Sequence, residues 1–213
     1  MNKLKLLAGI ILFGSLWGFS EVIVGTAIHD TGLPSGTIMT GFFALFFLIF
    51  SRRIYKQPGM QFGIALVAGG LRLFNPFVGC HLCSAIAIIA EGAIFEIIFY
   101  RISLDFNELK TTVMKSSMGV ITAYSIYVSG YIITQILTPI VSGANFYFEN
   151  LIVFMPNILG SGLIAAIIGG AVFPLTMLAT KLNLTVKDKM YYQATLVISL
   201  ICWLIVVGNW FLA

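Results

Sequence analysis

Apolar segments, broken by short polar punctuation, dominate the chain from end to end. Seven of them approach or exceed the ~20 residues that a helix needs to cross ~30 Å of hydrocarbon. They are Leu4–Ile28, Ser35–Phe50, Met60–Gly79, Leu82–Tyr100, Thr112–Ile140, Leu151–Leu182 and Tyr191–Leu212. The second is short, and the fifth and sixth exceed the need. Pro139 and Pro174 are expected to bend or end those two, because proline lacks the N–H that a helix interior uses. The stretch Asn145–Asn150 is expected along the interface, held by its aromatic residues. Asp30–Gly36 and Gln57–Gly59 read as tight turns between spans.

Composition turns this pattern into a fold class. With 59% hydrophobic and 9% charged residues and a mean hydropathy of +1.01, the chain cannot surround itself with a polar surface. The reading is an all-α, polytopic membrane helix bundle of about six to seven transmembrane helices, one domain over residues 1–213, with the lipid bilayer as its solvent. The net charge of +4 is then a matter of topology rather than of nucleic-acid binding. An inward N-terminus puts Lys3, Lys5, Arg52, Arg53, Lys56, Arg101, Lys110, Lys115, Lys181, Lys187 and Lys189 on the cytoplasmic side, and only Arg72 is left over. The N-terminus imitates a secretory signal, with Gly25-Thr26-Ala27 as a cleavage-like site. Its apolar run is longer than a signal core and carries Glu21, so the first span is expected to stay. No GxxxxGK[ST], HExxH or GxSxG motif occurs, and Asn183-Leu184-Thr185 falls on the predicted cytoplasmic side, where glycosylation has no meaning.

Four ionisable residues lie inside the apolar segments: Glu21, Arg72, Glu91 and Glu96. Each costs ~2.5–3.5 kcal/mol at a helix centre unless paired or wetted. At 1.5 Å per residue, Glu21 and Arg72 lie roughly 10 Å and Glu91 roughly 13 Å below the outer surface. Helical phase sets their direction. Gly14, Gly18, Glu21 and Gly25 form one stripe, Ala65, Ala68, Arg72, Asn75, Pro76 and Gly79 a second, and Ser84, Ala87 and Glu91 a third. Three polar stripes are therefore expected to converge at one depth. Two carboxylates and one guanidinium leave one negative charge, to be met by a retained proton or by a cationic ligand. Trp17 offers that ligand an aromatic face or simply packs. The alternative is an ion-pair network that only pins helices together. Glu96, deeper, is expected in a structural pair with Arg101 or Lys115.

Cys80 and Cys83 open the fourth segment, with His81 between them and His29 and Asp30 on a neighbouring turn. Four readings stay open: a metal ion on Cys80, Cys83 and His81, a redox pair, a contact to bound substrate, or small structural residues at a helix start. Cys202 lies mid-span and far from the mouth.

The glycine-rich first segment, the turns Gly32-Leu33-Pro34-Ser35-Gly36 and Lys56-Gln57-Pro58-Gly59, and the third segment GIALVAGGLRLF resemble the substrate-capture (S) components of energy-coupling factor transporters, over about Leu4 to Leu182. LWGFSE and AIAIIAEG also look like uncharacterised prokaryotic multi-pass membrane proteins. The resemblance implies a chain in the cytoplasmic (inner) membrane of a prokaryote that binds a vitamin-like or metal-related ligand from outside. It also implies docking on a membrane coupling subunit driven by ATPases, and makes Cys80 a candidate contact to a metal-bearing ligand.

Combined with the charged layer, this gives a non-enzymatic transport component. Glu21, Arg72 and Glu91 would form the pocket floor, Trp17 and Asn75 would orient the ligand, and Cys80, His81 and His29 would form the rim. A ligand with a carboxylate or phosphate opposite Arg72 and a cationic part against a glutamate would suit it. Two alternatives come from other classes: a membrane thiol-disulfide oxidoreductase using Cys80 and Cys83, and an ion or proton pathway along Glu21, Glu91 and Glu96.

Overall fold

The computed structural model describes residues 3–74, 80–101, 106–179 and 188–212, with the side chains of residues 101 and 107 left aside. Seven long helices make up the described chain: α1 (Lys3–Asp30), α2 (Ser35–Tyr55), α3 (Met60–Arg72), α4 (His81–Tyr100), α5 (Thr112–Ser142), α6 (Phe148–Ala179) and α7 (Asp188–Leu212). Among the described residues, all but α3 are long and apolar enough to cross a membrane. The protein is a multi-pass membrane protein with an all-α fold.

The third apolar segment departs from its expected length. Its helix stops at Arg72 after 13 residues, about 20 Å of rise. Leu73 and Phe74 follow in tighter turns, donating to the carbonyls of Gly70 and Leu71 at 3.3 and 3.0 Å. The physical reason is written in the next two residues, since a residue before proline, here Asn75, is disfavoured in helical geometry. Elsewhere the prolines do not end their helices at once. The α5 helix runs through Pro139 to Ser142 and closes on Gly143 (φ 72°), and α6 runs through Pro156 and Pro174. Packing along these long helices outweighs the missing hydrogen bonds. The Asn145–Asn150 stretch is exposed, and its last three residues already belong to α6.

Helix α3 lies against α1 on one side and α4 on the other; α5 packs on α4, α6 on α5 and α2, and α7 on α1. The α1/α3 contact is as close as the glycine stripe suggested. A Cβ at Gly14 would sit 2.8 Å from the Ile64 carbonyl oxygen, and one at Gly18 would sit 2.7 Å from Leu71 Cβ. At the end of the bundle that carries Lys5, Glu96 takes a different partner from those expected. Its carboxylate accepts the backbone N–H of Gly59 and, at 2.9 Å, of Phe62, capping the first turn of α3. At the same end Lys5 pairs with Asp188 at 2.9 Å, and Tyr55 hydrogen-bonds Tyr191, tying α7 to α1 and α2.

Two spans change pitch where it matters. The α1 helix widens to π-helical geometry over Ser20–Val24, and α2 does so over Met39–Ala44. Such widened turns re-aim side chains and recur at functional sites. A third lies at Ile97–Arg101.

Candidate binding site

A cavity of about 200 Å³ lies within the bundle. Five helices wall it: α1 through Glu21 and Gly25, α2 through Ser35, Met39 and Thr40, α3 through Arg72, α4 through Ser84 and Glu91, and α5 through Tyr131. Glu21 sits in one π-helical turn and Thr40 in the other. Counted from the ends of α1, α4 and α5 that lie nearest, Glu21, Glu91 and Tyr131 sit about 14, 15 and 17 Å deep. Ser35 and Gly36, at the start of α2, line its shallow side.

Each charged group has a distinct environment. Glu21 Oε1 accepts the indole N–H of the fully buried Trp17 at 3.0 Å. Arg72 Nη1 lies 3.5 Å from the Glu21 carbonyl oxygen, while Arg72 Nε is buried without a partner. Glu91 is only 3% exposed; its Oε1 accepts the Thr40 hydroxyl at 2.6 Å, and its Oε2 is buried with no protein partner. Arg72 forms no ion pair with either glutamate. The three charges thus line one cavity without cancelling one another by direct contact.

The other sequence-selected residues scatter. Trp17 stands behind Glu21 rather than on the cavity wall. Asn75 lies outside the described residues. His29 is exposed at the end of α1, 3.8 Å from Asp30, and is not part of the lining. His81 begins α4, with Nδ1 buried and unpartnered, likewise off the wall. Glu96 borders a separate crevice with Pro58, Phe62 and Tyr100.

The metal set expected at Cys80, Cys83 and His81 is not formed in this state. Cys80 and Cys83 are joined to each other as a disulfide, whose sulfurs carry no thiolate charge for a metal. Among the described residues no group of three or more His, Cys, Asp or Glu side chains is gathered to hold an ion. The Cys83 N–H donates to Cys80 Sγ at 3.1 Å, so the pair also caps α4. Ser84, the next residue, lines the cavity. Cys202 is buried on α7.

Three hydroxyl-bearing lining residues escaped sequence reasoning, Ser35, Thr40 and Tyr131, as did the apolar Gly36, Met39 and Ile88. The signal of the hydroxyls was faint, since a hydroxyl in an apolar span usually satisfies itself on its own helix, as Thr134 does with Gly130. Gly36 explains how Tyr131 fits, because a Cβ there would overlap the phenol oxygen.

Comparison with protein-family models, with curated proteins and with solved structures finds no significant match for this chain.

Proposed function

We propose that the protein is a membrane transport component that binds a small charged solute in the five-helix cavity. One observation carries the reading: Glu21, Arg72 and Glu91, from three helices, line a single cavity and leave polar atoms without protein partners. Buried charges of this kind are costly in a membrane and are typical of solute or ion pathways. The volume restricts the solute. A cavity of ~150 Å³ admits a molecule the size of benzene, so about 200 Å³ suits a compact solute better than a large vitamin. The likeness to substrate-capture components adds a coupling subunit and ATPases as the partners that would supply energy.

The experiment is mass spectrometry of small molecules that travel with the purified protein, comparing wild type with Glu91→Gln, which removes a lining carboxylate, and with Ala87→Leu, which fills the cavity. Loss of one co-purifying species from both variants, and its retention in Cys80→Ser, supports the reading. An unchanged profile in both overturns it.

A second reading rests on the disulfide. Cys80 is exposed and bonded to Cys83 across the first turn of α4. That is the placement of a thiol-disulfide exchange site, in which a dithiol partner would be oxidised as the pair is reduced. Alkylation that follows the redox poise reversibly supports it, and a pair inert to dithiol proteins removes it.

A further inference from the structure

We infer that the solute of the cavity is a small organic monocation, with its positive centre held between Glu91 and Tyr131. This rests on the solute-binding reading above and names the chemistry of that solute.

Charge leads the argument. With both carboxyls ionised, Glu21 and Glu91 contribute two negative charges and Arg72 one positive, leaving one negative charge on the lining for a bound cation or a retained proton to neutralise. A zwitterion would leave that charge uncompensated, whereas a monocation neutralises it. Position decides which acid is left over. Arg72 lies beside Glu21, at 3.5 Å from its carbonyl oxygen, where α1 and α3 touch through Gly18 and Leu71. The Glu21 carboxylate is already engaged by Trp17. Glu91 has no such neighbour: Thr40 holds one oxygen, and the other is buried without a partner in a side chain only 3% exposed. Among the described residues lining the cavity, Arg72 is the only basic side chain.

Shape and surface select an organic ion. Tyr131 belongs to the wall, and its ring packs on that of Tyr127 at a centroid distance of 4.5 Å. An ammonium over such a ring gains from the ring quadrupole, most strongly where water is scarce. Met39, Ala87 and Ile88 supply apolar surface for alkyl groups, and the hydroxyls of Ser35 and Ser84 accept or donate at the periphery. A bare metal ion would use neither the ring nor the apolar wall.

The test uses three isosteric probes on the full-length protein in lipid nanodiscs: choline, its neutral carbon analogue 3,3-dimethylbutan-1-ol, and the anion 3,3-dimethylbutyrate. Binding is read by calorimetry and by the unfolding midpoint. Choline is expected to bind on the order of ten-fold or more tighter than the alcohol. That preference should vanish in Glu91→Gln, shrink in Tyr131→Leu and persist in Tyr131→Phe. Equal or tighter binding of the alcohol or the anion overturns the charge assignment and leaves the cavity reading standing. Sodium or potassium chloride stabilising the protein as well as choline chloride overturns the organic assignment. No binding by any of the three probes overturns the monocation assignment, and the mass-spectrometric comparison above then decides the cavity reading by itself. Should Glu91→Gln fail to fold, as judged by its helical circular dichroism, the probe series on wild type and the Tyr131 pair decide alone.

Discussion

The Thr40 hydroxyl of α2 donates to Glu91 Oε1 of α4 at 2.6 Å, 51 positions apart in the chain. The bond forms because α2 widens over Met39–Ala44 and turns Thr40 inward, rather than leaving its hydroxyl on its own helix. It is the direct polar bridge between these two walls of the cavity.

Thr40→Val keeps the shape and removes the donor, so Glu91 Oε1 loses its protein partner and neither carboxylate oxygen retains one. The expected cost is about 1–3 kcal/mol, read by denaturant unfolding in detergent. Thr40→Ser should restore most of it. A wild-type midpoint in the valine variant would show that the bond is not formed.

Gly14 and Gly18 set the spacing of Glu21 and Arg72. Gly18→Ala places a Cβ 2.7 Å from Leu71 Cβ and 3.0 Å from Ala68 backbone, so α1 and α3 must separate. The expected destabilisation is about 1–3 kcal/mol, with weaker solute binding although no lining residue has changed. Unfolding and binding measured on one sample check both halves.

Glu96 tethers the start of α3. Glu96→Ala should cost about 0.5–2 kcal/mol, as loss of a helix N-terminal acceptor does, and Glu96→Gln less. Since Glu96 borders a different crevice from Glu21 and Glu91, neither variant should abolish solute binding. Abolished binding in Glu96→Gln would instead join the two sites.

The Cys80–Cys83 link closes a very short loop, so its removal in Cys80→Ser should lower stability by no more than about 2 kcal/mol. Before reduction neither sulfur should react with a maleimide, and after reduction the exposed Cys80 should react first. Labelling without reductant would show free thiols.

How much of this was legible in the sequence follows from what each signal measures. Hydropathy marks length in lipid, and α1, α2 and α4 through α7 came within a few residues of their helical bounds. The glycine stripe of α1 pointed to a close helix partner, because small residues matter only where backbones approach, and α3 is that partner. Charges in apolar runs have few places to go, which is why Glu21, Arg72 and Glu91 were found to share a cavity. The partners of those charges were hidden. Thr40 owes its direction to a local change of helical pitch that no residue pattern announces, and Glu96 turned to backbone amides, which carry no side-chain signature. His29 and His81 were proximate in sequence to the mouth, but neither lines the cavity.

The brevity of α3 bears on biogenesis. A helix of 13 residues cannot cover the hydrocarbon thickness by itself, and it carries Arg72 at one end. Partitioning of this segment from the insertion machinery as a solitary unit is therefore unfavourable. It has to be accepted together with α1, whose glycines receive it, and α4, whose Glu96 anchors its start. Assembly of the cavity and entry of α3 into the bilayer are one event, so a ribosome-bound intermediate ending before α4 should expose this segment to water.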